Sequence, residues 1–330
     1  MSAGANPAAP TAIRPPEAPV TPVPAAPRRR LADREGALAW IFLMPSVAYI
    51  IVLVAVPFVL AIGFAFSDVT AGDPSFDWVG LRNFRRAFDD PVFWQSLTNT
   101  VVFTGVSMVL IVLLGKVLAN ILMADFRGKW VVRFLVLLPW TTPVALSSVA
   151  WLWMLDSIFS PIDWVLRELS LLGQEGALFG DASNMYWLGK PGLAMTSVIA
   201  VHVWRITPLA AVIMMAGLVA IPRDLEEAAQ VDGAGYWRRM FEVTIPMVLP
   251  VAAVAALFGV VFTFTDIAVV DVLTRGGPNN STQVLTSWAF FRGIEGGDIG
   301  QGAATALFMF PILLAAAVAI LRAVRRMEVR

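Results

Sequence analysis

Cysteine is absent from the 330 residues. That excludes a disulfide framework, thiol catalysis and any cysteine-based metal site. Histidine occurs once, at His202, and no His-Glu-x-x-His is present, so no multi-ligand transition-metal site is expected. Charge is scarce: Asp, Glu, Lys and Arg make up 15% of the chain and cancel to zero. Bulk charge therefore points to no polyanionic partner, and nucleic acid is not an expected ligand. No Gly-x-x-x-x-Gly-Lys-[Ser/Thr] occurs. Gly115-Lys116-Val117 and Gly128-Lys129-Trp130 lack both the hydroxyl and the preceding glycine spacing, so no P-loop ATP site is expected. Gly-x-Ser-x-Gly is missing too, and one His among scattered Ser gives no nucleophile constellation. The chain is not expected to be an enzyme or to hold a cofactor.

What is abundant is apolar sequence. Hydrophobic residues reach 58% and mean hydropathy is +0.73. Soluble domains are near half apolar and a quarter charged, so this is an integral membrane protein. Six runs are long enough to cross about 30 Å of hydrocarbon at about 20 residues each: 37–66, 95–123, 133–155, 192–221, 247–273 and 302–322. This predicts an all-α integral membrane fold of six transmembrane helices. Residues 1–36 form a Pro- and Ala-rich N-terminal tail without aromatic residues in its first 27 positions, expected to be disordered. Residues 37–322 form the membrane domain and 323–330 a C-terminal tail. Arg28, Arg29, Arg30 and Arg34 followed by apolar sequence resemble the start of a signal peptide. The apolar run continues to Phe66, too long for a signal core, and reads as an uncleaved span. Pro45, Pro57, Pro139, Pro143, Pro208, Pro250 and Pro311 fall inside the runs. Such breaks survive where neighbouring helices satisfy the freed carbonyls, and they suggest bent helices around a path. With the N-terminus inside, Lys and Arg outside the spans divide about two to one in favour of the cytoplasm, with both termini there.

One polar stretch separates two apolar runs. Pro222, then Asp224 as an N-cap, then Glu227 as its capping-box partner mark a helix start. Leu225, Ala228 and Ala229 share a small apolar face, and Gly233 is placed to end the helix. Pro246 and Pro250 fall in the first turns of the next run. Residues 222–246 thus read as a short helix, a turn and re-entry into the membrane. The pattern resembles the signature loop of permease subunits in ATP-binding-cassette importers: Glu-Ala-Ala, three residues, Gly, nine residues, Ile, any residue, Leu-Pro. Glu227, Ala228, Ala229, Gly233 and Pro246 match, while Val243 and Ile245 replace the Ile and Leu. The resemblance implies a type I importer permease whose coupling helix, with Glu226 just before the motif and Asp232 in its three-residue spacer, docks on a separate ATPase dimer that binds ATP and magnesium. It further implies a second permease subunit, in a heterodimer, and an extracytoplasmic solute-binding protein, in the inner membrane of a bacterial cell. Asp77 to Phe84, Ser160 to Lys190 and Thr274-x-Gly276-Gly277-Pro278 resemble segments of the carbohydrate-importer branch. Trp164 and Trp187 in the long loop are expected to anchor at the interface.

Ionisable residues within spans cost about 2.5–3.5 kcal/mol each and need a reason. Lys116 lies near the inner end of the second run and can snorkel. His202 and Arg205 share a face of the fourth run. Gly259, Phe262, Thr263, Asp266 and Val270 recur at helical spacing in the fifth, a face mixing aromatic, hydroxyl and acid. That mix suits a sugar, with a ring to stack on a pyranose and charged groups to take its hydroxyls. The alternative is an internal Arg205–Asp266 ion pair that holds the bundle. The resemblance implies the same faces: matched to maltose permeases of that branch, substrate-lining positions fall on Trp140, His202, Arg205, Ile206, Gly259, Phe262, Thr263 and Asp266. A sugar or oligosaccharide is the expected substrate. Glycerol-3-phosphate or a related phosphodiester is the alternative, since Arg205 suits a phosphate. A rival of another class is an ion-coupled transporter using His202, Arg205 and Asp266 as a proton relay.

Overall fold

The computed structural model describes residues 35–73 and 75–328. Most of the expected N-terminal tail lies outside the described residues. Packing divides the rest into two compact units, one ending at Pro57 and one starting at Phe58. The first holds α1 (Glu35–Ile50) and a π-helical turn, Ile51–Ala55. The second holds α2 (Val56–Ala65) from Phe58 onward, then α3 (Arg82–Asp89), α4 (Pro91–Met123), α5 (Lys129–Thr141), α6 (Val144–Met154), α7 (Pro161–Glu168) and α8 (Pro191–Val219). The short α9 (Arg223–Val231) and α10 (Tyr236–Arg239) follow, then a π turn at Met240–Thr244, α11 (Ile245–Phe264), α12 (Ala268–Leu273), α13 (Leu285–Phe290), a π turn at Phe291–Glu295, and α14 (Ile299–Glu328). No strand occurs among the described residues, only an isolated bridge between Ser67 and Trp78.

Five helices are long and apolar enough to cross a membrane: Leu38–Ala65, Pro91–Met123, Pro191–Val219, Tyr236–Phe264 and Ile299–Arg326. A sixth span exists if α5 and α6 count as one, though they meet at a bend of 99°. The third apolar run is therefore broken where the sequence predicts one span. Thr142 precedes Pro143, and its backbone is extended, as the residue before a proline prefers.

The fifth run differs at both ends. Its helix starts at Tyr236, well before residue 247, so Pro246 sits inside a continuous helix rather than at an entry turn. A proline ring clashes with the carbonyl four residues back. The π turn ends at Thr244, two residues before Pro246, and widens the helix at the point of that clash. The turn at Ile51–Ala55 stands in the same relation to Pro57. At the other end α11 stops at Phe264, and Thr265 to Ile267 are not α-helical. The single face expected to run from Gly259 to Val270 is interrupted there.

The core of the second unit lies among α4, α8 and α11, with Phe103, Ile111, Ile206, Met214, Val248 and Ala255 buried in one cluster. Close approach depends on small residues, as usual between membrane helices. Gly115 of α4 rests against Ala210 of α8, and a Cβ there would lie 3.0 Å from the alanine Cβ. On the other side of α8, a Cβ on Gly217 would lie 2.8 Å from Val251 Cβ. A second cluster joins Ala87, Phe93, Leu285 and Trp288, with Phe308 edge-on to Phe84 and Phe88. The loop between α7 and α8 is tied down by buried Asp163, which accepts from Met185 N–H at 2.9 Å and from Trp187 Nε1–H at 2.8 Å. Trp187 is thereby a half-buried internal strut instead of an interfacial anchor, whereas Trp164 is exposed.

Gly217→Leu should lower stability by about 1–3 kcal/mol, the usual cost of overpacking. The same change at Gly105, which faces open space, should leave the melting temperature unchanged or raise it. Thermal unfolding of the detergent-solubilised protein measures both, and equal effects would contradict this account of the crossing.

Candidate functional site

The polar cluster that contains the expected ionisable residues is built from α8 and from the end of α11 with the break that follows it. α8 opens on Pro191, tolerated at a first helical position, and its ionisable residues are His202 and Arg205, one turn apart. α11 ends at Phe264, and Asp266 occupies the break before α12. Its Oδ1 accepts the Val269 N–H at 3.1 Å, satisfying a donor in the first turn of α12. Its Oδ2 takes the Arg205 Nη2–H and lies 3.2 Å from His202 Nδ1 without the alignment of a hydrogen bond. Thr263 Oγ1 is 2.7 Å from the Gly259 carbonyl, to which it donates, and 2.8 Å from His202 Nε2. The hydroxyl proton is thus used within α11, and the imidazole donates through Nε2. Arg205 Nε is buried without a hydrogen-bond partner among the described residues.

Arg205 and Asp266 bind each other in this structure. The carboxylate is almost wholly buried and the guanidinium mostly so. His202 is fully buried, edge-on to Phe103 of α4 at a centroid distance of 4.9 Å. Phe103 is not among the expected site residues, and an ordinary Phe in an apolar run carries no signal that would single it out.

The other expected residues separate into two groups. Trp140 of α5 and Phe262 of α11 meet edge to face at 5.5 Å, and Phe262 remains exposed, stacked at 6.2 Å on Phe258. Ile206 is buried in the core. Gly259 is buried where α11 crosses α4, and a Cβ there would come within 2.7 Å of Met108 Cε. Four expected residues thus form one polar cluster, two form an aromatic pair in which Trp140 is half-buried and Phe262 exposed, and two pack between helices.

α9 is the short helix expected before Gly233, with one correction. It starts at Arg223 with Pro222 in the N-cap position, so Asp224 lies in the first turn and caps nothing. Proline at 222 has a fixed φ and leads straight into the helix, which pre-empts the later start. The end is as expected. Gly233 has φ +77°, its N–H bonds the Gln230 carbonyl at 3.0 Å, and the Ala234 N–H bonds the Ala229 carbonyl at 2.9 Å. That pair of bonds is the Schellman stop, which glycine makes without strain. Glu227, Ala228 and Asp232 are exposed and Ala229 is half-buried. Leu225 and Val231 are exposed as well, 87% for Val231, unusual for apolar residues on an otherwise polar helix.

Five membrane-length helices, a further helix pair bent by 99°, a buried charge cluster and a short helix between two spans define a multi-pass membrane protein. The chain belongs to the family of binding-protein-dependent transport system inner membrane components, which it matches over residues 111–329. It is 32% identical over 285 residues to the trehalose/maltose transport system permease protein of Thermococcus litoralis, covering 86% of this chain and 92% of that one. It is 30% identical over 297 residues to the sulfoquinovosyl glycerol transport system permease protein of Agrobacterium fabrum, covering 89% and 92%. Its fold is similar to a chain of a bacterial alginate ABC transporter crystallised with an alginate pentasaccharide-bound periplasmic protein. The TM-score is 0.72 at 19% identity, over 91% of this chain and 98% of that one. The family makes this an inner-membrane transport component, consistent with a chain that is not itself an enzyme.

Removing one partner of a buried ion pair costs about 3–5 kcal/mol, because the other charge is stranded. Asp266→Asn is therefore expected to lower the abundance of the protein in membranes several-fold. Asp266→Asn combined with Arg205→Gln should restore it. Quantitative immunoblotting of membrane fractions reads this directly, and full abundance of the single variant would show that the pair holds nothing together.

Proposed function

We propose that this chain supplies half of the translocation path of an ATP-binding-cassette importer for a sugar or oligosaccharide. The observation that carries the reading is near-full-length similarity, at 30–32% identity, to two permeases named for sugar or sugar-glycoside transport. In this reading a second, non-identical permease subunit completes the path. A solute-binding protein delivers the sugar from outside, and an ATPase dimer binds ATP and magnesium on the cytoplasmic side. The coupling helix is α9, with Glu226, Glu227, Ala228, Ala229, Asp232 and Gly233 as its docking residues. Leu225 and Val231 support this, since exposed apolar side chains on a polar helix are ready to be covered by a partner.

Half-buried Trp140 and exposed Phe262 offer aromatic faces for a pyranose, with Arg205 and Asp266 available to fix polar groups. His202, Ile206, Gly259 and Thr263 then act by shaping and bracing that wall. Arg205 is already neutralised by Asp266, which disfavours the phosphodiester alternative, because a phosphate would have to compete with an internal carboxylate. Both termini are assigned to the cytoplasm.

Gly233→Pro and Glu227→Lys should each abolish sugar-stimulated ATP hydrolysis by the assembled transporter while the protein stays in the membrane. Normal stimulation in both would remove α9 from coupling. In this cysteine-free chain, a single cysteine replacing Gly235 should react with an impermeant maleimide only from the cytoplasm. One replacing Asn280 should react only from outside, and the reverse pattern would invert the topology.

A further inference from the structure

A second polar cavity lies away from the Arg205–Asp266 cluster. It has a volume of about 700 Å³ and opens between the last turns of α4 and α8, α9, and the start of the helix that contains α11. Lys116 and Asn120 line it from α4, Glu227 and Gln230 from α9, and Tyr236 and Arg239 from α10. Lys116 Nζ donates to Asn120 Oδ1 at 2.8 Å, which uses one of its three protons. Arg239 Nε is buried and has no hydrogen-bond partner among the described residues. Among the described side chains neither cation forms an ion pair.

A cation in the apolar run of α4 is costly, and snorkelling accounts only for its being tolerated. It does not account for Lys116 and a second, incompletely bonded cation lining the same cavity. Two cations face one carboxylate there, with amide donors on Asn120 and Gln230 and the Tyr236 hydroxyl nearby. A phosphate group has the charge and the acceptor oxygens that such a set of donors lacks. The volume is that of a small-molecule site.

We propose that this cavity is a cytoplasmic site for a phosphate-bearing small molecule of about the size of a phosphorylated sugar. Lys116 and Arg239 hold the phosphate, and Glu227 bounds the cavity opposite them. Because Glu227 and Gln230 belong to α9, a ligand there alters the position or charge of that helix and so tunes transport. The same chemistry is offered by an anionic lipid headgroup at the inner leaflet, and the test separates the two sources. Binding is read directly, so the site stands or falls whatever the transported solute is.

Lys116, Lys129 and Lys190 are the only lysines, so amine acylation followed by peptide mass spectrometry reads each one. The assembled transporter is reconstituted, without nucleotide, in phosphatidylcholine vesicles and treated with an acylating ester. Millimolar inorganic phosphate should slow acylation of Lys116 roughly ten-fold, as expected for charge-assisted contacts. Chloride at the same ionic strength should not, and Lys129 should be unaffected by either. Arg239→Gln should remove the protection and Arg239→Lys should retain part of it, which separates ligand binding from misfolding. If protection instead appears without phosphate in vesicles containing phosphatidylglycerol, and depends on Arg239, the site is retained and its ligand is a lipid headgroup. Equal protection by chloride, no protection in either membrane, or a Lys116 that never reacts would overturn the proposal.

Discussion

A carboxylate placed among membrane helices must bring its own counterion, and much of this bundle is arranged around Asp266 doing so. The cost of an isolated charge in hydrocarbon is several times the worth of an ordinary packing contact. Asp266 meets it with Arg205 from α8 and is tied further to the first turn of α12 through the Val269 N–H, while His202, bonded to Thr263, lies against the same carboxylate. The arrangement requires the backbone to break at Thr265 to Ile267. A continuous helix would turn the Val269 N–H back to the carbonyl at Thr265, whereas the break leaves it for the carboxylate. Helix geometry is given up locally so that charge can be satisfied, and α8, α11 and α12 are held together at one point.

Elsewhere proline provides the irregularity that the charge cluster provides here. The 99° bend between α5 and α6 follows from Pro143, and two π turns each end two residues before a proline. These are local adjustments to a missing N–H and a ring that collides with the preceding turn. Their effect is larger than their size. The bent pair carries Trp140 toward Phe262, and the widened turn lets one helix run unbroken from Tyr236, just after α9, to Phe264. A push on α9 has only a short loop, residues 232–235, to cross before it reaches that helix. Its far end borders the charge cluster, so α9 and the cluster are linked by a single rigid element.

The amino-acid sequence discloses the membrane anatomy well, because a run of about twenty consecutive apolar residues is rare outside a membrane span. It also places the stop at Gly233, where a left-handed backbone is needed and only one residue type adopts it without strain. It conveys less where structure depends on partners distant in the chain. Nothing in Thr265-Asp266-Ile267 announces a helix break, since neither Gly nor Pro is present and the partner that Asp266 meets there, Arg205, is on another helix. Trp187 reads as an interfacial anchor until Asp163 is seen to hold its indole. Phe103 beside His202, and Met108 against Gly259, are ordinary apolar residues whose neighbours cannot be inferred from spacing.

The proposed contact between α9 and an ATPase is the point on which the proposed transport mechanism turns. A single cysteine replacing Ala229, carrying a photoreactive benzophenone, places a cross-linker in the middle of that helix in an otherwise cysteine-free chain. Illumination of membranes in which the transporter is active should join this chain to a nucleotide-binding subunit, and ATP should change the yield. Failure to capture such a subunit, with transport intact, would contradict the coupling role of α9.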